Sequence, residues 1–182
     1  MLQAVRNKDK TAEKELYALC YKHCFKIARL YTRDIEEATS VFNFSMIDVF
    51  NQIKHIYSYE YLIRLTTTIV KRDCIDQQRK NAVYLNKLAI VAERDADKNS
   101  VNNALSQLRM EEIFQLISCL DTNQRLCFNL HAIEGYKYKE IAKRLKININ
   151  TAKWYVKEAR RSLQQSIGNN STHLNKINRH GS

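Results

Sequence analysis

Apolar residues recur along this chain at intervals of three and four, and that period predicts helices over most of its length. Residues 9–31 read as an amphipathic helix with Leu16, Leu19, Cys20, Ile27 and Tyr31 inward. Asp34 is placed to cap the next helix, 35–53, and Glu36 and Glu37 suit the positive end of its dipole. Ala38, Val41, Phe42, Phe44, Met46, Ile47, Val49, Phe50 and Ile53 make that helix apolar on most sides. Such a helix is either buried all round or docks onto something. Both readings stand at this point, and an exposed Phe44 or Phe42 would indicate a protein partner. A tyrosine-dense connector, 54–61, leads into a helix over 61–80 with Leu62, Leu65, Ile69 and Ile75 inward. Residues 81–107 lose the period. A loose helix over 83–92 gives way to a polar, charged run that reads as a flexible linker. The period resumes over 108–120, with Met110, Ile113, Phe114, Ile117 and Leu120 inward. Asp121 or Thr122 caps a helix over 123–134, which Gly135 closes with a positive-φ turn. The expected fold class is all-α: two small helical domains, 1–80 and 108–166, a linker, and a polar, disordered tail over 167–182.

The stretch 136–163 carries the sharpest pattern. Ile141, Ala142 and Leu145 form one apolar stripe, and Ala152, Val156, Ala159 and Leu163 form a second. Lys146, Ile147 and Asn148 separate them, and Asn148 suits an N-cap. Small Ala142 permits a close helix crossing. Together these features predict a helix-turn-helix whose second helix can enter a DNA major groove. The candidate DNA-reading side chains are Asn148, Asn150, Thr151, Lys153, Trp154, Lys157, Arg160 and Arg161. Asn and Thr bond base edges or phosphates, Lys and Arg neutralise phosphates, and Trp packs on sugars or a thymine methyl.

Charge strengthens this reading. Residues 137–161 hold nine Lys or Arg against Glu140 and Glu158, which is +7 of the chain's net +11. A polyanion partner follows. The connector and the helix after it form a second candidate surface of aromatics among cations: Lys54, His55, Tyr57, Tyr59, Tyr61, Arg64, Lys71, Arg72 and Arg79. That mixture suits unpaired bases, although the tyrosines could equally pad the loop onto the core. With no Pro and only three Gly, strand-and-turn architectures are disfavoured. No apolar run approaches the ~18 residues that span a bilayer, and no signal peptide is evident, so a cytoplasmic protein without membrane insertion is expected. Five Cys, an odd number, read as reduced thiols. Cys20, His23 and Cys24 share a helix, but no second ligand pair follows at zinc spacing, so neither a metal nor another cofactor is expected.

Several of these residues carry a resemblance. Leu120-Asp121, Arg125, Phe128, Leu130, Glu134-Gly135-Tyr136, Glu140-Ile141-Ala142, Leu145, Ile147, Thr151, Lys153 and Ala159-Arg160 resemble region 4 of the bacterial sigma-70 family, in its extracytoplasmic-function (ECF) class. Glu37-Ala38, Val41, Asn43, Met46 and Phe50 resemble the helix with which that family grips RNA polymerase. The run Thr68–Arg72, Cys74-Ile75-Asp76 and Arg79-Lys80 resembles its promoter minus-ten helix. The resemblance implies a non-enzymatic transcription initiation factor with two partners, core RNA polymerase and promoter DNA. An anti-sigma factor that masks the binding surfaces is a further partner it implies. Glu37, Val41, Asn43, Phe44 and Ile47 would then bind polymerase. The helix from Ile149 would read the minus-thirty-five element, and 54–80 would hold the melted minus-ten strand.

The chain departs from the family pattern at named positions. Asp121 stands where Pro is usual, and Lys146 where the turn usually has Gly. If position 146 needs φ > 0, Lys costs about 1 kcal/mol there. Thr39-Ser40 and Asn43-Phe44 replace polar, acidic pairs, which makes the polymerase-facing surface more apolar; Arg72 replaces Asn. Two other readings remain on the residues alone. One is an ordinary helix-turn-helix regulator acting without polymerase. The other is a metal-dependent DNA-processing enzyme built on Glu60, Asp73 and Asp76.

Overall fold

The computed structural model describes residues 1–88 and 105–177, with side chains over 1–80 and 110–167. Every regular element among them is helical, and the chain divides into two compact units, Met1–Leu88 and Ala89–Ser182.

In the first unit a short α1 (Leu2–Arg6) precedes α2 (Lys10–Tyr31), α3 (Ile35–Asn51) and α4 (Tyr59–Leu88), and the last three pack on one another. Asp9 starts α2 by accepting from the Thr11 and Ala12 N–H groups. Asp34 starts α3 by accepting from Glu37 N–H at 2.7 Å, the cap expected from sequence. Leu16, Cys20, Cys24, Phe25, Ala28 and Tyr31 of α2 are buried, while Leu19 and Ile27 are only half-buried. The inward face of α2 is wider than a single stripe because it meets both α3 and α4. Phe42 is wholly buried, edge-on to Tyr17, Tyr21 and Phe25 at 5.5–5.8 Å. Ser45 is buried too, and it donates to Asp73 of α4 at 2.8 Å, so two helices share a satisfied polar contact. A 3₁₀ turn over Ile53–His55 links α3 to α4.

In the second unit α5 (Leu105–Ser118), α6 (Thr122–Phe128), α7 (Tyr138–Leu145) and α8 (Ile149–Ile177) enclose a core of Phe114, Ile117, Leu120, Leu126, Leu130, Ile141, Val156 and their neighbours. Asp121 caps α6, accepting from Asn123 N–H. The α6 helix then widens into one π turn, Asn129–Ile133, where Glu134 N–H reaches Asn129 O at 3.0 Å. Gly135, at φ +76°, ends it as expected. Met110 and Ile113 of α5, expected inward, are exposed; the buried face of α5 is the stripe Phe114, Ile117 and, just beyond the helix, Leu120.

Two boundaries differ from expectation. The α4 helix runs on through the first residues of the expected linker to Leu88, because the polar sequence there breaks the apolar stripe without supplying a helix breaker. Likewise α8 continues to Ile177, into the stretch expected to be a disordered tail. The rest of the 81–107 linker, from 89 to 104, and the tail from 178 lie outside the described residues.

Candidate nucleic-acid interface

The turn between α7 and α8 is built from three local choices. The Glu140 carboxylate accepts from Lys137 N–H at 2.7 Å and fixes the start of α7. Lys146 adopts φ 56°, ψ 44°, a left-handed C-cap, and Ile147 N–H returns to Ala142 O at 3.0 Å. Asn148 caps α8 by accepting from Asn150 N–H at 2.8 Å. Its side-chain oxygen thereby serves the backbone cap, while its exposed amide group still faces solvent. With Ala152, Val156 and Ala159 buried, Asn150, Lys153, Trp154, Lys157, Arg160 and Arg161 are exposed, and Thr151 is half-buried. Trp154 keeps 54% of its surface in solvent and leans on Tyr155. Lys153, Lys157, Arg160, Arg161 and Gln164 border a shallow groove of about 320 Å³ beside Tyr138, at the first residue of α7. Four cations around one groove can neutralise several phosphates of a duplex backbone.

The first unit places its candidates unevenly. Lys54, His55, Tyr57, Tyr59, Tyr61 and Arg64 are all exposed, on the 3₁₀ turn and the first turns of α4. The tyrosines therefore do not pad the core; Ile53 and Ile56 do that. Tyr59 shares a 2.8 Å hydrogen bond with His23 Nε2 of α2. Farther along α4 the cations are engaged. Arg72 pairs with Asp48 at 2.6 Å and Asp73 at 2.8 Å, and Arg79 pairs with Asp76 at 3.3 Å. The carboxylates beside Arg72 hold its guanidinium above the usual pKa through hydrogen bonds. Arg72 thus ties α3 to α4 while staying half exposed, and Lys71 is half-buried.

On α3, Phe44 (62% exposed) and Ile47 (56%) stand out with Asn43, which accepts from Tyr17 Oη at 2.6 Å. Val41, expected at the same surface, is buried. Glu37 is turned to structure, accepting from Arg33 N–H and from Gln78 Nε2. The acids of the alternative metal site do not converge: Asp73 holds Ser45 and Arg72, Asp76 holds Arg79, and Glu60 is exposed. Cys20 and Cys24 point inward to Thr66 and Thr67, away from His23. Among the described residues no group of three or more His, Cys, Asp or Glu could hold a metal, and no helix is long and apolar enough to cross a membrane.

Residues 110–163, which hold this whole helix-turn-helix, match the family model "Sigma-70, region 4". Over that segment the chain is similar to sigma-70 region 4. It is 34% identical over 96 residues to the ferric citrate uptake sigma factor FecI of Escherichia coli (strain K12), covering 50% of this chain and 54% of that one. The chain thus spans about half the length of the curated relative it matches. It is also similar, at 16% identity and a TM-score of 0.44, to the sigma factor RpoE in complex with the anti-sigma factor NepR from Bartonella quintana, over 90% of this chain and 96% of that one.

Within the region 4 segment, sequence reasoning missed the supports. His131 stacks on Tyr138 at 4.3 Å, and Arg144 lies over the Tyr136 ring at 4.8 Å. Arg125 is buried and donates to the carbonyls of Ser118 and Leu120, tying the end of α5 to α6. A motif position marks Arg125 in the sequence, but a motif does not say that an arginine points inward. Arg6 and His23, which reach the exposed tyrosines of the first unit, were missed for another reason. They lie some 50 and 36 residues from their partners, beyond any local period.

Proposed function

We propose that this chain is a transcription initiation factor of the extracytoplasmic-function sigma type, which binds core RNA polymerase and directs it to promoters. The observation that carries this reading is the exposed, cationic face of α8, presented by a capped helix-turn-helix inside the segment that matches sigma-70 region 4. Asn150, Trp154 and the exposed cations of α8 read the minus-thirty-five element in duplex DNA, with Thr151 at the edge of that face. Lys54, His55, Tyr57, Tyr59, Tyr61 and Arg64 hold the melted minus-ten strand, since aromatics beside cations bind unpaired bases of any sequence. Asn43, Phe44 and Ile47 dock on polymerase. An apolar pair on an otherwise well-packed helix is what a protein partner covers. An anti-sigma factor, where one acts, would cover the same faces. The tether between the units makes the second promoter contact intramolecular once the first is made. The work is binding, and it needs no catalytic group.

Run-off transcription tests the proposal. Purified core polymerase from the source organism is mixed with its genomic promoter fragments, with and without this protein. Promoter-specific transcripts that require the protein are the expected result. Duplex binding without any such transcript would instead make this chain a regulator that acts without polymerase.

A further inference from the structure

The exposed tyrosines of the first unit are not equally free. Tyr57 lies just after the 3₁₀ turn, and one face of its ring is covered by the Arg6 guanidinium, 5.2 Å from the ring centroid. Arg6 is itself held from three sides. It donates to Ile56 O at 2.7 Å, to Ile53 O at 3.3 Å and to Gln3 Oε1 at 3.0 Å. Those two carbonyls flank the end of the 3₁₀ turn, and Ile53 and Ile56 are both buried. Buried Val5 seats α1 against the unit beside it. The guanidinium is thus fixed by the turn it stabilises, and it lies over the ring that the turn presents. Tyr57 still exposes 77% of its surface, so its other face is open.

We propose that Arg6 is a positioning residue for single-strand capture: it pins the 53–57 turn and backs the Tyr57 ring, so that an unpaired base of the minus-ten strand stacks on the ring's open face. This rests on the sigma-factor reading above. A ring already held by a cation loses little freedom when a base arrives, and the cation adds attraction for the flanking phosphates. Lysine cannot replace it, because one ammonium cannot span both carbonyls and also cover the ring.

The test uses holoenzyme assembled on core polymerase and promoter DNA mapped by the run-off experiment. Two labelled fork templates are compared by anisotropy. One carries the unpaired minus-ten strand, and the other is truncated before it. For Arg6→Gln, Arg6→Lys and Tyr57→Ala, about a tenfold loss of affinity is expected on the tailed fork, with none on the truncated fork. The double variant Arg6→Gln/Tyr57→Ala is expected to lose no more than Tyr57→Ala alone, because both changes remove one stacking platform. Equal losses on both forks, or additive losses in the double variant, would overturn the proposal, since a general fold defect is blind to the tail and does not run through Tyr57. A wild-type protein that forms no fork-binding holoenzyme would overturn the sigma reading itself. That outcome is distinct, because it appears before any variant is made.

Discussion

Lys146 is where a single side chain works against its backbone. Its φ of 56° is the left-handed C-cap of α7, which glycine adopts freely and lysine does not. Replacement by glycine removes the clash of Cβ with the following carbonyl. Lys146→Gly is therefore expected to stabilise the second unit by about 1 kcal/mol, read as a higher denaturation midpoint in urea. Gly135 is the mirror case. Its φ is +76° and a Cβ there would meet nothing within 4 Å, so Gly135→Ala should cost only the conformational term, again about 1 kcal/mol. Unchanged midpoints in both variants would show that these turns relax. The strain at Lys146 stood in the sequence as a condition, because the family pattern usually has Gly there; that φ is positive needed coordinates. The capping role of Asn148 was legible as well. That the cap bond goes to Asn150 N–H needed coordinates.

Faces, rather than residues, decide what α3 and α8 do. Along α3 the sequence offers apolar residues on most sides, and period alone could not choose which side is core. Packing chooses: Val41, Phe42, Met46 and Val49 go in, while Phe44 and Ile47 stay out. Phe44→Asp is expected to weaken binding to core polymerase at least tenfold and leave thermal unfolding within a few degrees of wild type. Val41→Asp, one turn away, buries an unpaired carboxylate and should cost about 4 kcal/mol, enough to unfold much of a small unit. If Phe44→Asp unfolded the protein, the outer face of α3 would be core after all. Along α8 the inward stripe was legible because it repeats cleanly and the opposite face is almost wholly polar. The exposed cations proposed to face DNA follow from it. Lys153→Ala and Lys157→Ala should each weaken duplex binding and reduce the slope of log affinity against log salt by about one, measured by titration at several salt concentrations. An unchanged slope would place those ammonium groups away from phosphate. The α4 cations were less legible. A helix face shows that Arg72 is outward, but only the neighbouring α3 shows Asp48 waiting for it.

At the scale of the whole chain, each unit has its own core, and each core carries its own buried thiol reporter. Cys20, Cys24 and Cys74 lie inside the first unit, and Cys127 lies inside the second; Cys119 is exposed. Burial pushes the Cys20 thiol up to about 11 and the Cys74 and Cys127 thiols up to about 12, from an ordinary value of 9.0. The thiolate is the form that reacts, so these groups stay inert until their unit opens. Their folded pKa values are raised, so the unfolded chain loses protons first as pH climbs. Both units should therefore lose stability from about pH 9 upward and gain none below it from these groups. If the two units are separate cores, opening one should not open the other. Val41→Asp makes that testable. In the native protein a thiol reagent at neutral pH should label Cys119 quickly and the other four slowly. In Val41→Asp, Cys20, Cys24 and Cys74 should label quickly as well, while Cys127 keeps its wild-type rate, followed site by site by mass spectrometry. Cys127 protection that falls together with the first unit would mean that the cores are thermodynamically coupled. The two surfaces proposed to bind DNA would then open and close together.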